Sequence, residues 1–165
     1  MENDPDLMAF NTWRAVQPDA DRSGVVFAAN DHAAKSCSVW WAGPETGFFD
    51  RMRAEARTRG ITLLVIRAPY SRQQLRRATD LIFGGSERLR QLGFDLQAVA
   101  GPTPEFLGLT VRGAVPGNEE ARQLPPTLVA SVRDKIAALL QDCPVRLDDV
   151  RVEYGKISDL VYRLG

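Results

Sequence analysis

The chain has 165 residues, 44% of them hydrophobic and 25% charged, which fits one folded domain and excludes both an intrinsically disordered chain and a pair of independent enzyme domains. Lys plus Arg and Asp plus Glu number 21 each, for a formal net charge of zero, so no global field draws the chain to nucleic acid or to an anionic membrane. The longest apolar stretches, such as Ile61 to Ile66, fall far short of the roughly 20 residues needed to span a bilayer, so no membrane partner is expected and a soluble chain is.

The opening MENDPDLMAFNTW has neither the basic nor the apolar region of a leader peptide, which leaves a cytosolic chain or one whose leader was removed before export. Residues 1–23 are polar, carry Pro5 and Pro18 and show no sustained period, so they read as an extended or partly ordered arm. The fold itself is expected over residues 24–156. Val25-Val26-Phe27 is a short β run, Asn30 to Lys35 has turn chemistry, and Ser36 to Trp41 returns with Cys37, Val39 and Trp41 alternating, a β-hairpin. Pro44 and Glu45 suit the first turn of a helix whose stripe is Phe48, Phe49, Met52 and Ala56 and whose stop is Gly60. Ile61 to Ile66 is a strand covered on at least one face.

Ser71 caps a long helix reaching Leu92, with Leu75, Ala78, Ile82, Leu89 and Leu92 inward. Gly84-Gly85 interrupts it, as a kink or a close contact between helix and sheet. Phe94 to Ala100 and Phe106 to Val111 read as a second hairpin joined through Gly101-Pro102-Thr103-Pro104. After a polar linker from Pro116 to Gln123, a helix opens at Pro125-Pro126-Thr127 with Val129, Val132, Ile136, Leu139 and Leu140 on one face. Cys143-Pro144 ends it, and Val145, Leu147, Val150 and Val152 form the last strand, with Asp148-Asp149 a solvated or bulged stretch of it. The fold class is therefore α+β in the order ββ-α-β-α-ββ-α-β, a sheet covered by three helices. Each half holds a hairpin followed by helix and strand, the pattern of two related α/β modules, although no residue-level repeat accompanies it.

No catalytic constellation emerges. His32 is the single histidine and sits in a predicted turn with no GxSxG-type nucleophile in the chain, so it reads as a turn residue. One histidine and two distant cysteines, Cys37 and Cys143, make no zinc set; they read as two buried thiols, or as one long-range disulfide if the chain is exported. The Gly84-Gly85 pair lacks the spacing of a phosphate loop and lies inside a helical pattern, so neither a nucleotide nor any other cofactor is called for. Arg72, Arg76, Arg77, Arg88 and Arg90 read as solvated helix faces. Trp40-Trp41 places one ring inward and the other on the opposite face, where Trp40 is a candidate for partner binding.

From Gly24 to Tyr154 the ordered pieces resemble the propeptide domains of secreted actinobacterial serine proteases of the alpha-lytic protease type. The carriers are Gly24-Val25-Val26-Phe27-Ala28-Ala29-Asn30, Ser38-Val39-Trp40-Trp41-Ala42-Gly43, the helix and strand through Val65, and Val150-Arg151-Val152-Glu153-Tyr154-Gly155 after the last helix. The resemblance implies a non-enzymatic binding domain, acting as intramolecular chaperone or protease inhibitor, whose partner is a trypsin-like or chymotrypsin-like serine protease. It also gives a task to the apolar tail of residues 157–165: in that family the region leads straight into the protease, so the tail can lie in the active-site cleft like a product, anchored by Leu160, Tyr162 or Leu164. The alternative is a cytosolic regulatory or small-molecule-binding domain with ferredoxin-like βαβ geometry.

Overall fold

A computed structural model describes residues 2–18, 24–118 and 122–156; the tail anchors Leu160, Tyr162 and Leu164 lie outside the described residues. The architecture is α+β. Helix α1 (Pro5–Ala15) leads, followed by β1 (Val25–Asp31), β2 (Ser36–Trp41), α2 (Gly47–Thr58), β3 (Thr62–Arg67), α3 (Arg72–Gly84), α4 (Ser86–Gln91), β4 (Asp95–Ala100), β5 (Leu109–Ala114), α5 (Pro126–Leu139) and β6 (Val150–Tyr154). The strands form two sheets rather than one, in the orders β1-β2-β3 and β4-β5-β6. The chain accordingly divides into two compact units, residues 1–72 and 73–165, where the sequence suggested a single domain over 24–156. The two sheets follow the two hairpin–helix–strand halves of the sequence pattern, although hydrophobic periodicity by itself tells which face of a strand is inward and not which strand it pairs with.

In unit 1, β1 and β2 pair antiparallel and α2 carries the chain across to β3, which returns parallel to β2, the connection that a parallel pair needs. Cys37, Val39 and Trp41 point inward from β2 onto Phe48, Phe49, Met52 and Ala56 of α2, with Leu63 and Val65 of β3 packed beside them. Trp41 is the largest side chain of this core, 1% exposed; its ring meets Phe49 edge-on at 4.8 Å and its Nε1–H donates to the Pro44 carbonyl at 3.2 Å, so the polar end of a buried indole is satisfied.

The N-terminal segment is not an extended arm. Asp4 caps α1, its Oδ1 accepting from the Asp6 and Leu7 amides at 2.9 and 3.0 Å, and Pro5 takes the first turn, where its missing N–H costs nothing. Leu7 and Phe10 are fully buried in the core of unit 1, and Trp13 stacks between Phe10 and Phe48 at 6.1 and 6.3 Å. A stripe at i, i+3 and i+6 among polar neighbours is one row wide and two turns long, too brief to register as a period.

Unit 2 repeats the strand order: β4 and β5 pair antiparallel, and β6 returns parallel to β5 after α5. The helical stretch from Ser71 to Leu92 is interrupted at the Gly84-Gly85 pair, as expected, and forms two helices that meet at Gly85. That residue is buried, and a Cβ there would lie 2.4 Å from the Leu139 side chain of α5, so the close approach is to a helix rather than to the sheet. Strand β5 begins at Leu109, three residues later than expected, because Thr103 and Phe106 close a local turn on each other, each amide donating to the other's carbonyl at 2.9 and 3.1 Å. The last strand also starts late. Residues 147–149 form a 3₁₀ turn, and Arg133 of α5 donates to the Leu147 and Val150 carbonyls at 3.3 and 2.7 Å, so Asp148-Asp149 is turn rather than bulged strand.

Candidate binding surface

The edge of the first sheet combines an open backbone, apolar side chains and uncompensated charge. Strand β3 has β2 as its one strand neighbour among the described residues. The Thr62 and Ala68 amides donate toward β2, to the Lys35 and Trp41 carbonyls at 3.1 and 2.8 Å; by strand alternation the main-chain groups of Leu63, Val65 and Arg67 face the open edge. Leu64 and Ile66 stand on the outer face, 49% and 39% exposed. On the inner side, between α2 and β3, a groove of about 420 Å³ is lined by Ala56, Ile61, Leu63 and Val65 with Arg53 and Arg57 above them. The Arg53 guanidinium lies over the Phe49 ring at 4.5 Å. Neither Arg53 nor Arg57 has a carboxylate partner among the described residues, whereas Arg59, farther along the helix, is paired with Glu55 at 2.8 Å.

Sequence reasoning missed this surface because its elements look ordinary one by one: an apolar strand and a helix with a basic face. The available signal was the coincidence of two arginines four residues apart, which share a helix face, with the strand that follows immediately.

The residues singled out from sequence are placed as follows. Trp40 lies on the sheet face opposite Trp41, but it is only 7% exposed and its ring stacks on Phe27 at 4.2 Å, so it is not open to a partner. Cys37 is buried and Cys143 half-buried, and both are free thiols; burial pushes the Cys37 thiol up, with the Arg14 charge opposing. The two cysteines also belong to different units. His32, half-buried, accepts the Asp4 amide on Nδ1 at 3.0 Å, which places its ring proton on Nε2 and makes it an anchor for α1. Arg72, Arg76, Arg77, Arg88 and Arg90 are exposed.

Unit 2 has a depression of about 560 Å³ where the start of β4 meets the ends of β5 and β6, with Asp95, Gln97 and Lys156 among its walls; the Gln97 amide donates to Asp95 at 2.9 Å. Among the described residues no group of three or more His, Cys, Asp and Glu side chains is placed to hold a metal ion, and no helix is long and apolar enough to cross a membrane. No protein-family model, curated protein or solved structure matches the chain.

Proposed function

We propose that the chain is a non-enzymatic protein-binding domain of the propeptide kind, a folding assistant or inhibitor of a trypsin-like or chymotrypsin-like serine protease. The observation that carries this reading is the open edge of β3 flanked by half-exposed Leu64 and Ile66. An unpaired strand edge is a template for an extended segment of another protein, with main-chain hydrogen bonds supplying affinity and alternate side chains supplying specificity. The tail of residues 157–165 adds a product-like segment whose anchors are Leu160, Tyr162 and Leu164.

The test is inhibition and refolding of representative trypsin-like and chymotrypsin-like proteases by the full chain at micromolar concentration. Removing residues 157–165 is expected to weaken inhibition at least about tenfold, about 1.4 kcal/mol, with the melting temperature retained. A full-length chain that neither inhibits nor speeds the refolding of any such protease overturns the reading.

A second reading, a regulatory domain for a small polar molecule, is favoured by the depression beside Asp95 and Lys156. It requires a small polar ligand to raise the melting temperature, because binding to the native state alone must stabilise it.

A further inference from the structure

We propose that the β3 edge and the groove beneath α2 form a docking site for an extended acidic segment of a partner protein, one that alternates carboxylate and apolar side chains. The inference rests on the protein-binding reading above and specifies the chemistry of the bound segment.

The geometry dictates the alternation. A strand added alongside β3 hydrogen-bonds to the outward main-chain groups of Leu63, Val65 and Arg67 and then sends its own side chains alternately to the two faces of the extended sheet. On the outer face they meet Leu64 and Ile66, large apolar side chains that are 49% and 39% exposed, so apolar residues gain there by covering them. On the inner face they enter the groove lined by Ala56, Ile61, Leu63 and Val65 and pass below Arg53 and Arg57. Both guanidinium groups lack a carboxylate partner among the described residues, and a planar fork of donors matches a carboxylate in bidentate geometry. Inner-face aspartate or glutamate residues would therefore meet two guanidinium groups that have no carboxylate partner among the described residues.

The same charges argue against a second copy of this chain as the occupant. Two β3 edges paired about a twofold axis would continue the inner faces into one surface and bring the Arg53 and Arg57 pairs of both copies onto it. Like charges on the same face of adjoining strands repel.

The experiment measures binding of labelled seven-residue peptides to the full chain by fluorescence anisotropy. One peptide alternates valine and glutamate and the other alternates valine and lysine. The glutamate peptide is expected to bind at least about tenfold more tightly than the lysine peptide, and its binding should weaken as salt is raised. The double substitution R53E/R57E, on exposed positions, is expected to keep the circular dichroism spectrum and melting temperature while reversing the preference. A Leu64→Lys variant should weaken the glutamate peptide from the other face. Equal affinity for the two peptides, no binding at micromolar concentration, or a preference unchanged by R53E/R57E overturns the assignment. So does concentration-dependent dimerisation abolished by Leu64→Lys, which would give the edge to a second copy. The two readings fail separately. Protease inhibition without peptide binding removes the groove and leaves the protein-binding domain, whereas peptide binding without inhibition of any protease removes the protease partner and leaves the groove.

Discussion

The two units share one strand order and part company in what they put on it. In each, a hairpin is followed by a helix and a strand that returns parallel to the hairpin's second strand, and in each the first strand has a register shift near its beginning, between Val25 and Phe27 in unit 1 and between Leu96 and Ala98 in unit 2. The faces turned away from the packing helices differ in kind. In unit 1 that face holds Phe27, Trp40, Leu64 and Ile66; in unit 2 it holds Thr110, Arg112, Arg151 and Glu153, with Arg112 and Glu153 paired at 3.9 Å and the Arg151 guanidinium over the Phe106 ring at 3.8 Å. Topology comes from turns and from the crossover rule, which tolerate either chemistry. The outer face is free to diverge, and the unit with apolar side chains there is also the one whose groove carries Arg53 and Arg57.

The inner faces differ as well, and the largest expected effects lie there. At the third inward position of the middle strand, unit 1 places Trp41 and unit 2 places Gly113. Trp41 fills its core itself. A Cβ at Gly113 would lie 2.4 Å from the Phe94 ring, so unit 2 fills the corresponding space from the residue before β4. Trp41→Ala is expected to destabilise unit 1 by about 3–5 kcal/mol, the cost of emptying a large aromatic site. Gly113→Ala should cost unit 2 about 1–3 kcal/mol by overpacking against a ring that has nowhere to go. Hydrogen exchange followed separately over β2 and β5 checks both; equal loss of protection in both units from either substitution would show that they unfold as one and break the comparison.

A smaller effect tests how each sheet receives its leading helix. In unit 2, α4 runs into β4 through Gly93 and the buried Phe94. In unit 1, α1 is separated from β1 by residues 16–24 and is held to the β1–β2 turn by side chains: the Asp4 amide donates to His32 at 3.0 Å and Lys35 pairs with Asp6 at 2.6 Å. Asp4→Ala removes the cap and should cost about 1 kcal/mol, with protection lost first over α1. An unchanged denaturation midpoint would mean that the cap adds nothing to what Leu7, Phe10 and the contacts with His32 and Lys35 supply.

Most of the architecture is legible from sequence, and the parts that are not fail for local reasons. Gly60, Pro125-Pro126 and the stripes of α2 and α5 mark their elements through strong propensity and period. Helix α1 escapes because its meaning is tertiary: Leu7, Phe10 and Trp13 become a stripe only against Phe48. The β5 start escapes because Phe106, a good strand residue, is taken by a turn, and the late start of β6 depends on carbonyls held by Arg133, 14 and 17 residues away in sequence. The candidate site is the least legible of all. That β3 is an edge strand follows from pairing, and that Arg53 and Arg57 lack a carboxylate partner among the described residues follows from tertiary placement rather than from local pattern.

The Lys35–Asp6 pair gives the smallest effect and the one confined most narrowly to unit 1. The Lys35 ammonium, by hydrogen bond and by charge, holds the Asp6 carboxyl below its ordinary value of 3.8, and the hydrogen bond to Asp6 holds Lys35 above its ordinary 10.5. A depressed acid stabilises the fold above its ordinary value and loses that contribution as pH falls through the folded value; a raised base stabilises below its ordinary value and loses it as pH rises through the folded one. The melting temperature of the native chain minus that of Asp6→Asn is therefore expected to be small and positive, flat from about pH 5 to 10, and to vanish toward both extremes. Taking the difference matters on the alkaline side. The buried Cys37 thiol, raised above its ordinary 9.0, withdraws stability from both proteins there and cancels. Both partners are partly solvent-exposed, so 1 M salt, with a screening length of about 3 Å, should shrink the difference further. A difference that persists unchanged at pH 3 would place the effect in helix propensity rather than in the ion pair, and would leave α1 attached to the turn by His32 alone.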